Sequence, residues 1–407
     1  MKKILLISIL LVSLRSISQT GTWTTLVSGT SNPLIAVSAP SPTICYVGGA
    51  SGTILKTTNG GATWTPQTSG TGQPIDALYF IDIDTGYAAC DAGVALKTTN
   101  GGATWTPMTT GTVNSFRCIW FTSPTTGYTT GGNASGTAGE ILKTTNCGAT
   151  WTSTLPPTVP LYGIDFSSPT NGYTVDYNGL SVKTINAGAS WTTVSTGASV
   201  ILSDVRFISP TTGFVIGRNG TIRKTTDAGA TWANVVSGTT DALSGINFVN
   251  STDGFIVGGP LATLMGTILS TTDAGATWTY YSTGTPILYK MSFPNPNVGY
   301  VVGTSGTILK YTKSGAGITE NENAVQSFNN YPNPFVSSTI IDCKNYAFEH
   351  AAFVELYDVT GKIVNDLKFS SNKNSITIER NNLAAGFYTY RVFDGNAVIG
   401  RGNMIAQ

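Results

Sequence analysis

One octapeptide recurs six times along the chain and constrains the fold more than any other feature. "TTNGGATW" spans Thr57–Trp64 and returns unchanged at Thr98–Trp105, and variants follow at Thr144–Trp151, Thr184–Trp191, Thr225–Trp232 and Thr271–Trp278. Successive copies of its tryptophan are 40 to 46 residues apart. A period in the forties, with several short β-rich runs in each unit, is typical of a propeller blade. The sequence therefore predicts an all-β ring of repeated sheets.

The number of blades follows from the run that precedes each octapeptide. It begins as "TILKTT" at Thr53 and has six relatives, which start at Val94, Glu140, Leu180, Thr221, Thr267 and Thr307. The seventh copy ends in "KSGAG" and has no tryptophan or fourth strand behind it. The N-terminal segment "TGTWTTLVSGT" (Thr20–Thr30) offers a spare strand that can pair with the last blade and hide its open edge. We expect seven blades closed in this way.

The octapeptide links the third predicted strand of each blade to the fourth. Its Asn or Asp can accept hydrogen bonds from backbone N–H groups of the turn, and the glycine two residues later permits a positive φ. The tryptophan can be buried between neighbouring sheets. Six equivalent copies spread around a ring cannot converge on one substrate. We interpret the octapeptide as a structural brace rather than a reacting site.

The octapeptide resembles the Asp-box of sialidase-like propellers, and the whole repeat is more similar to the photosystem II assembly-factor family. The residues that carry this resemblance are "GYxVGxxGTILKTTNGGATW" and its relatives across residues 20–316. The resemblance implies the propeller fold. It also implies, as one functional alternative, assistance in assembling a surface complex.

The chain begins with a predicted secretory signal, residues 1–18. Lys2 and Lys3 precede an apolar run from Ile4 to Leu14, and Ser16–Ser18 supplies a small-residue cleavage site. The apolar run is too short to span a bilayer, and we predict no transmembrane segment in the chain. The propeller is then expected over residues 19–316, followed by a polar linker over residues 317–328.

The last part of the chain, residues 329–407, reads as a small immunoglobulin-like β-sandwich with alternating strands. Its motifs "YPNP" (Tyr331–Pro334), "LYDVTGK" and "LxxGxYxxxV" (Leu383–Val392) resemble the C-terminal sorting domain of type IX secretion cargo in the Bacteroidetes. The resemblance implies that this domain engages the type IX machinery. It further implies transit through the periplasm, removal of the domain, and a final place outside the cell or attached to the outer-membrane surface.

Composition argues against several kinds of chemistry. The net charge of +1 argues against a nucleic-acid partner, and five irregularly spaced cysteines signal neither a zinc site nor a disulfide framework. The only histidine, His350, lies in the predicted sorting domain, so the propeller lacks a Ser–His or Cys–His nucleophile. We predict no catalytic, cofactor-binding or metal-binding residues, no cofactor, and no enzymatic activity.

A few charged residues are candidates for a functional site despite this composition. Glu140 is the only Glu of the propeller, and it is a hydrolase candidate only with a second carboxyl across a cleft. Opposite charges at Asp165 and Arg206, and likewise at Asp204 and Lys290, favour ion pairs between blades over a ligand clamp. The third-strand lysines favour packed stems with amines in water over a basic ring that binds a polyanion; they are Lys56, Lys97, Lys143, Lys183, Lys224 and Lys310.

Loop length distinguishes the blades. The second-to-third turns are extended at residues 131–141 and 258–268, and we expect them to share a face with the connections at residues 153–162 and 280–289. Ligand contacts concentrate on such variable loops. The leading hypothesis is a secreted, non-enzymatic propeller that binds a protein or glycan through this loop face. The alternatives are a sialidase-like glycoside hydrolase and an assembly factor for a surface complex.

Overall fold

The computed structural model describes residues 21–154, 159–260, 262, 264–313, 326–328, 330–343, 352–358, 363–369, 375–380, 383–394 and 397–407. The chain divides into two compact units, Met1–Ser314 and Gly315–Gln407. The predicted signal peptide (residues 1–18) and most of the predicted linker (residues 317–328) lie outside the described residues. The boundaries predicted for them stay predictions.

The first unit begins with β1 (Thr22–Leu26) and continues with sheets of four antiparallel strands, here called blades. Blade 1 contains β2 (Leu34–Ser38), β3 (Cys45–Gly49), β4 (Ile54–Thr57) and β5 (Thr65–Gln67). Blade 2 contains β6 (Ile75–Phe80), β7 (Gly86–Cys90), β8 (Ala95–Thr98) and β9 (Thr106–Met108). Blade 3 contains β10 (Ser115–Phe121), β11 (Gly127–Gly132), β12 (Gly139–Thr144) and β13 (Thr152–Ser153).

Four further blades complete the series. Blade 4 contains β14 (Leu161–Phe166), β15 (Gly172–Asp176), β16 (Leu180–Thr184) and β17 (Thr192–Ser195). Blade 5 contains β18 (Leu202–Phe207), β19 (Gly213–Gly217), β20 (Ile222–Thr225) and β21 (Ala233–Val235). Blade 6 contains β22 (Ala242–Phe248), β23 (Gly254–Gly259), β24 (Met265–Thr271) and β25 (Thr279–Pro286). Blade 7 contains β26 (Leu288–Asn295), β27 (Val298–Gly303), β28 (Ile308–Thr312) and β1, and short 3₁₀ turns occupy Ala50–Gly52 and Thr304–Gly306.

The ring closes through the N-terminal strand, as predicted. β1 pairs antiparallel with β28, and the register places Trp23 opposite Tyr311 and Leu26 opposite Ile308. This pairing makes β1 the fourth strand of blade 7 and leaves β28 without an open edge. The all-β, seven-bladed fold expected from the repeat is confirmed.

The hydrophobic core lies between neighbouring blades. All residues of β3, β7, β15 and β19 are buried, because both faces of each strand pack against another sheet. In blades 1 to 6 the aromatic residue of the second strand stacks on the first-strand phenylalanine of the next blade; Tyr46 and Phe80, for example, have ring centroids 3.7 Å apart. Trp105 then contacts Phe80 edge-on. These junctions therefore bury a column of rings, whereas at the junction of blades 7 and 1 Tyr300 meets Trp64 without a phenylalanine.

The octapeptide turn is held by its own side chains. In the first copy Asn59 Oδ1 accepts the Thr63 N–H at 3.0 Å, as predicted, and the Thr57 hydroxyl accepts the Gly61 N–H at 2.9 Å. Gly61 has φ 88°, and an added Cβ would lie 2.4 Å from Leu26 Cδ1. The turn thus requires glycine both for its backbone conformation and for its close approach to the preceding blade.

The same turn also ties neighbouring blades together through the recurrent lysines. Lys56 Nζ donates to the Gly101 carbonyl of the next blade at 2.7 Å, and the Tyr46 hydroxyl donates to the same oxygen at 3.0 Å. Equivalent lysine bonds are made by Lys97, Lys143, Lys183, Lys224 and Lys310. The prediction that these amines lie free in water is wrong, because each half-buried amine donates to a backbone carbonyl of the next blade. The acceptor residue is buried for Gly60 and Gly101 and half-buried for the other four. These bonds also argue against a basic ring that presents free amines to a polyanion.

The second unit is a sandwich of two sheets. Its strands are β29 (Gln326–Ser327), β30 (Asn330–Tyr331), β31 (Ser338–Asp342), β32 (Ala352–Tyr357), β33 (Ile363–Phe369), β34 (Ser375–Glu379), β35 (Gly386–Asp394) and β36 (Ala397–Ala406). One sheet has the order β29-β36-β35-β32-β33 and the other β30-β31-β34. Asn333 of the "YPNP" motif accepts the Ile405 N–H at 2.8 Å. The motif therefore fixes the C-terminal strand.

Candidate functional site

The innermost strands place one residue from each blade near the propeller axis, immediately before a phenylalanine in blades 2 to 7 and before Ala39 in blade 1. These residues are Ser38, Tyr79, Trp120, Asp165, Arg206, Asn247 and Ser292. Several of them bind the backbone of the following blade. The Ser38 hydroxyl accepts the Phe80 N–H, and the Ser292 hydroxyl accepts the Ala39 N–H, both at 3.0 Å. Polar residues at this level therefore join the blades to one another.

The first predicted ion pair lies at this level, and the second lies two residues earlier along the inner strands. Asp165 is 3% exposed, accepts the Phe207 N–H at 2.6 Å and lies 3.7 Å from Arg206. Burial raises the pKa of Asp165, and the Arg206 charge opposes that shift. The Arg206 guanidinium also lies 5.3 Å from the centre of the Trp120 ring. As predicted, Asp165 and Arg206 form an ion pair between adjacent blades.

The second pair joins blades that are not adjacent. Lys290 Nζ of blade 7 lies 3.0 Å from Asp204 Oδ2 of blade 5. Gly245 of the intervening blade packs closely against blade 7, since an added Cβ there would lie 3.3 Å from Lys290 Cα. This close packing lets Lys290 reach Asp204 past blade 6. Burial alone would lower the pKa of Lys290, but Asp204 together with Cys118 keeps it raised. The axial cavity around these pairs measures about 280 Å³.

A further charged cluster lies at the loop-face end of the axis. Arg117 Nη1 lies 3.1 Å from Asp76 Oδ1 and 3.1 Å from Asp91 Oδ1. Burial raises the pKa of Asp76 to about 7, with a further contribution from Asp91, while Arg117 lowers it. Neither Asp76 nor Asp91 was predicted from the sequence as part of a charged cluster. Both Asp76 and Arg117 are the extra residues of β-bulges, at Ile75/Ala77 and Phe116/Cys118, so they fall outside the simple alternation along the strand.

The raised pKa of Asp76 makes the stability of the propeller depend on pH. A carboxyl whose pKa rises on folding from 3.8 to about 7 binds its proton more tightly in the folded state. Its contribution is present below about pH 4 and is lost as the pH rises toward 7. We expect Asp76→Asn to match the wild type at pH 5 and to be more stable at pH 8.5, by on the order of 3 kcal/mol.

Chemical denaturation at the two pH values measures this difference. Asp84→Asn is the control, because it removes the same charge from an exposed position on the opposite face. The control should follow the wild type at both pH values. An Asp76→Asn variant whose advantage does not change with pH would contradict the expectation.

Arg117 of this cluster and three neighbouring residues form a surface that we call the Tyr–Arg patch; the other three are Tyr162, Tyr177 and Arg218. They come from blades 3, 4 and 5. Burial raises the pKa of Tyr162, and the nearby charges of Arg117 and Arg218 lower it. Tyr177 is 49% exposed, and Arg218 is exposed and forms none of the ion pairs found among the described residues. The patch therefore offers rings and a free cation to solvent.

The remaining candidates have structural neighbours. Glu140 Oε2 accepts a hydrogen bond from Asn114 Nδ2 at 2.9 Å, within its own blade. Arg223 donates to the Gly197 carbonyl at 2.7 Å. All five cysteines are free thiols. Among the described residues, no group of three or more His, Cys, Asp or Glu is placed to hold a metal ion.

The extended loops lie on the face where they were expected. An added Cβ on Gly132 would meet Pro160 at 3.0 Å, and one on Gly259 would meet Ile287 at 3.2 Å, so each loop touches the connection between its own blade and the next. One expectation is wrong. Residues 280–286 belong to strand β25 rather than to a loop, because the long turn of blade 6 lets β24 start at Met265 and pair with Pro286.

Comparison with known proteins identifies both units. The family of the photosynthesis system II assembly factor YCF48 matches residues 16–159 and 184–286, more than half of the chain. The chain belongs to the YCF48 family. This YCF48-family propeller is followed by a secretion system C-terminal sorting domain, which matches residues 329–405. The sorting domain is of the type IX kind and marks the protein for secretion to the cell surface or beyond, through contact with the secretion machinery.

Solved structures show the same architecture. YCF48 bound to D1 peptide is 19% identical, with 72% of this chain and 97% of that chain covered at a TM-score of 0.60. YCF48 from Cyanidioschyzon merolae is 20% identical, with 71% and 98% covered at 0.59. The GH74 xyloglucanase from Xanthomonas campestris is 13% identical, with 79% and 60% covered at 0.58. At these identities the likeness shows the fold alone.

No curated protein sequence matches this YCF48-family chain significantly. Within the described residues, none of the helices has the length and hydropathy needed to cross a bilayer.

Proposed function

We propose that this protein is a secreted, non-enzymatic propeller that binds a polypeptide segment of a partner through the Tyr–Arg patch and so assists assembly of a complex at the cell surface. The observation that carries the proposal is the composition of the patch. Tyrosine and arginine are the residue types most enriched at protein interfaces. Exposed Arg218, with no ion pair among the described residues, can bind a carboxylate of the partner with two hydrogen bonds.

A family relative supports a polypeptide over a glycan as the ligand. One of the similar structures is a YCF48 propeller bound to D1 peptide. The rings of Tyr162 and Tyr177 on the loop face provide apolar area at low cost in side-chain entropy. A rigid, preformed ring of blades adds little reorganisation on binding.

The arrangement of the carboxylates supports a role without catalysis. Glycoside hydrolysis uses two carboxyls facing each other across a cleft, at about 5 to 9.5 Å. Asp76 and Asp91 instead both pair with one guanidinium, that of Arg117. Asp165 and Asp204 are engaged with Arg206 and Lys290. The hydrolase alternative therefore has no supporting pair among these residues.

The final location of the protein follows the same proposal. The signal peptide directs the chain into the periplasm and is cleaved. Type IX secretion then carries the protein across the outer membrane. After the sorting domain has acted, the propeller is either attached to the cell surface or released, and in both cases the Tyr–Arg patch meets extracellular partners.

The test presents the full-length protein to an array of synthetic peptides and to an array of glycans. We expect peptides with acidic residues to bind, and the double variant Tyr177→Ala/Arg218→Ala to bind about tenfold or more weakly. The matched control is Ile83→Ala/Ile185→Ala, which removes two exposed side chains from the opposite face. Binding that the patch variant leaves unchanged would reject the patch, and release of sugar from any glycan would reject the non-enzymatic role.

A further inference from the structure

The junction between blades 6 and 7 lacks the brace found at the other junctions. Ser270 stands where six blades have the lysine, and Phe255 stands where five have a tyrosine. The register of β28 places Tyr311 and Lys313 at the positions of the octapeptide Thr and Asn or Asp. Both hydrogen-bond donors and the octapeptide sequence are therefore missing at one and the same junction.

A cavity of about 460 Å³ lies at this junction, within the size range of ligand sites. Apolar side chains on its lining include Trp23, Phe255, Ile268, Leu309 and Tyr311. Hydroxyl-bearing residues on its lining include Ser270, Thr283 and Thr285. Asp253 and Lys313 form an ion pair at 3.1 Å on its lining, so their charges are already neutralised. The cavity suits an uncharged, apolar group.

The outer strand beside the cavity is unlike the other outer strands. The regular ladder of β25 with β24 covers Thr279–Ser282, and a bulge around Gly284 (φ 66°) follows before Pro286 pairs with Met265. The strand spans 8 residues in all, whereas the outer strands of blades 1 to 5 have 2 to 4 residues. It is the edge of its sheet, and among the described residues it pairs with β24 alone. Tyr281 and Ser282 of the ladder and Thr283 and Thr285 of the bulge line the cavity. The exposed edge of the four-residue ladder can accept an added strand.

Comparison with blades 1 and 2 shows which backbone group of β25 is free. Pro66 and Pro107 occupy the outer strands of those blades opposite Leu55 and Leu96. Proline has no N–H, so the sheet does not need a donor at that register. Tyr280 occupies the same register, opposite Leu269. Its N–H therefore points away from the sheet and is available to an added strand.

We propose that an extended segment of a partner polypeptide adds to the edge of β25 and inserts a large apolar side chain into the cavity between blades 6 and 7. At the other junctions the corresponding space holds a polypeptide turn, whose carbonyl is bound by lysine and, at four of the six, also by tyrosine. Because both donors are missing here, a buried carbonyl would lack a partner, and an apolar side chain fits instead. This site lies on the outer wall and is independent of the Tyr–Arg patch.

The chain itself offers a competing occupant. The described part of the propeller ends at Lys313 on the lining of the cavity, and residues 314–325 follow directly in the sequence. Tethering would give this segment a high effective concentration. The experiment must therefore separate a partner segment from the chain's own.

The probe is a phage library of random eight-residue peptides selected on the full-length protein. We expect selected peptides to carry a central Leu, Ile, Phe or Trp. Binding should fall about tenfold or more with Ser270→Lys, which introduces the lysine that the other blades carry and fills the cavity, and with Tyr280→Pro, which introduces the proline of blades 1 and 2. Both replacements occur naturally at these registers in sister blades, so both variants are expected to fold.

Two controls separate this site from other effects. Thr226→Lys adds the same charge at an exposed position of blade 5 and should leave binding unchanged, as should Tyr177→Ala/Arg218→Ala in the Tyr–Arg patch. Peptides that bind equally well to Ser270→Lys and Tyr280→Pro would overturn the proposal. So would binding seen only after residues 314–319 are replaced by glycine and serine, because the chain's own segment would then be the occupant. Binding of a saccharide rather than peptides at the cavity would also overturn it.

Discussion

Deletion of residues 21–30 will destabilise the whole propeller and lower its melting temperature by about 10 °C or more. The deletion removes β1, which contributes five residue pairs to β28. It also removes Trp23, whose ring packs against Phe255, Phe293 and Tyr311 at centroid distances of 5.6, 6.3 and 5.0 Å. Blade 7 would keep three strands and an open edge, and the junction with blade 6 would lose its aromatic column.

Thermal unfolding followed by circular dichroism measures this effect on the full-length mature chain. A synthetic peptide of residues 21–30, added to the deleted protein, should restore much of the melting temperature because it can pair with the open edge. The same peptide with Trp23→Ala is the matched control and should restore much less, since loss of a packed tryptophan costs about 3–5 kcal/mol. Identical melting of the deleted and complete proteins would show that the N-terminal strand does not close the ring.

Arg206→Met will destabilise the propeller by about 3–5 kcal/mol at neutral pH, because it leaves the Asp165 carboxylate buried without its counter-charge. Asp165 is almost fully buried and has Arg206 as its cationic partner at 3.7 Å. The pKa of Asp165 is already raised by burial. Without Arg206 the carboxyl should protonate more readily, so the loss of stability should shrink as the pH falls toward 5.

A double-mutant cycle isolates the charge from the packing. Asp165→Asn/Arg206→Met keeps an oxygen that can accept the Phe207 N–H and removes both charges, so it should be more stable than Arg206→Met alone. Denaturant unfolding of the wild type, both single variants and the double variant supplies the four free energies. Equal instability of Arg206→Met and the double variant would show that lost packing on Trp120, rather than an unpaired carboxylate, causes the effect.

The loop-face cluster shows where strand patterns fail. Asp165 and Arg206 were found from sequence because both precede a phenylalanine at the end of an inner strand. Asp76 and Arg117 likewise form an ion pair between adjacent blades, but both residues occupy bulges. A bulge adds one residue to a strand, so simple alternation does not reveal which way that residue points. Asp76 and Arg117 each stand four residues before the phenylalanine of their strand, so alignment of the strands on that phenylalanine would have found the pair.

The amino-acid sequence by itself determined the propeller, its seven blades and the closing strand, because each octapeptide carries its own hydrogen-bond partners and its own glycine within a few residues. The third-strand lysines were decided only by the tertiary structure, since each amine binds a carbonyl about 45 residues away along the chain, or, for Lys310, one near the other end of the propeller. Only the tertiary structure likewise revealed the junction between blades 6 and 7, which lacks the lysine, the tyrosine and the octapeptide. Ser270 and Phe255 read as ordinary substitutions until the ring places them opposite a blade with no octapeptide. Local patterns specify each sheet, and only closure of the ring determines what each sheet meets.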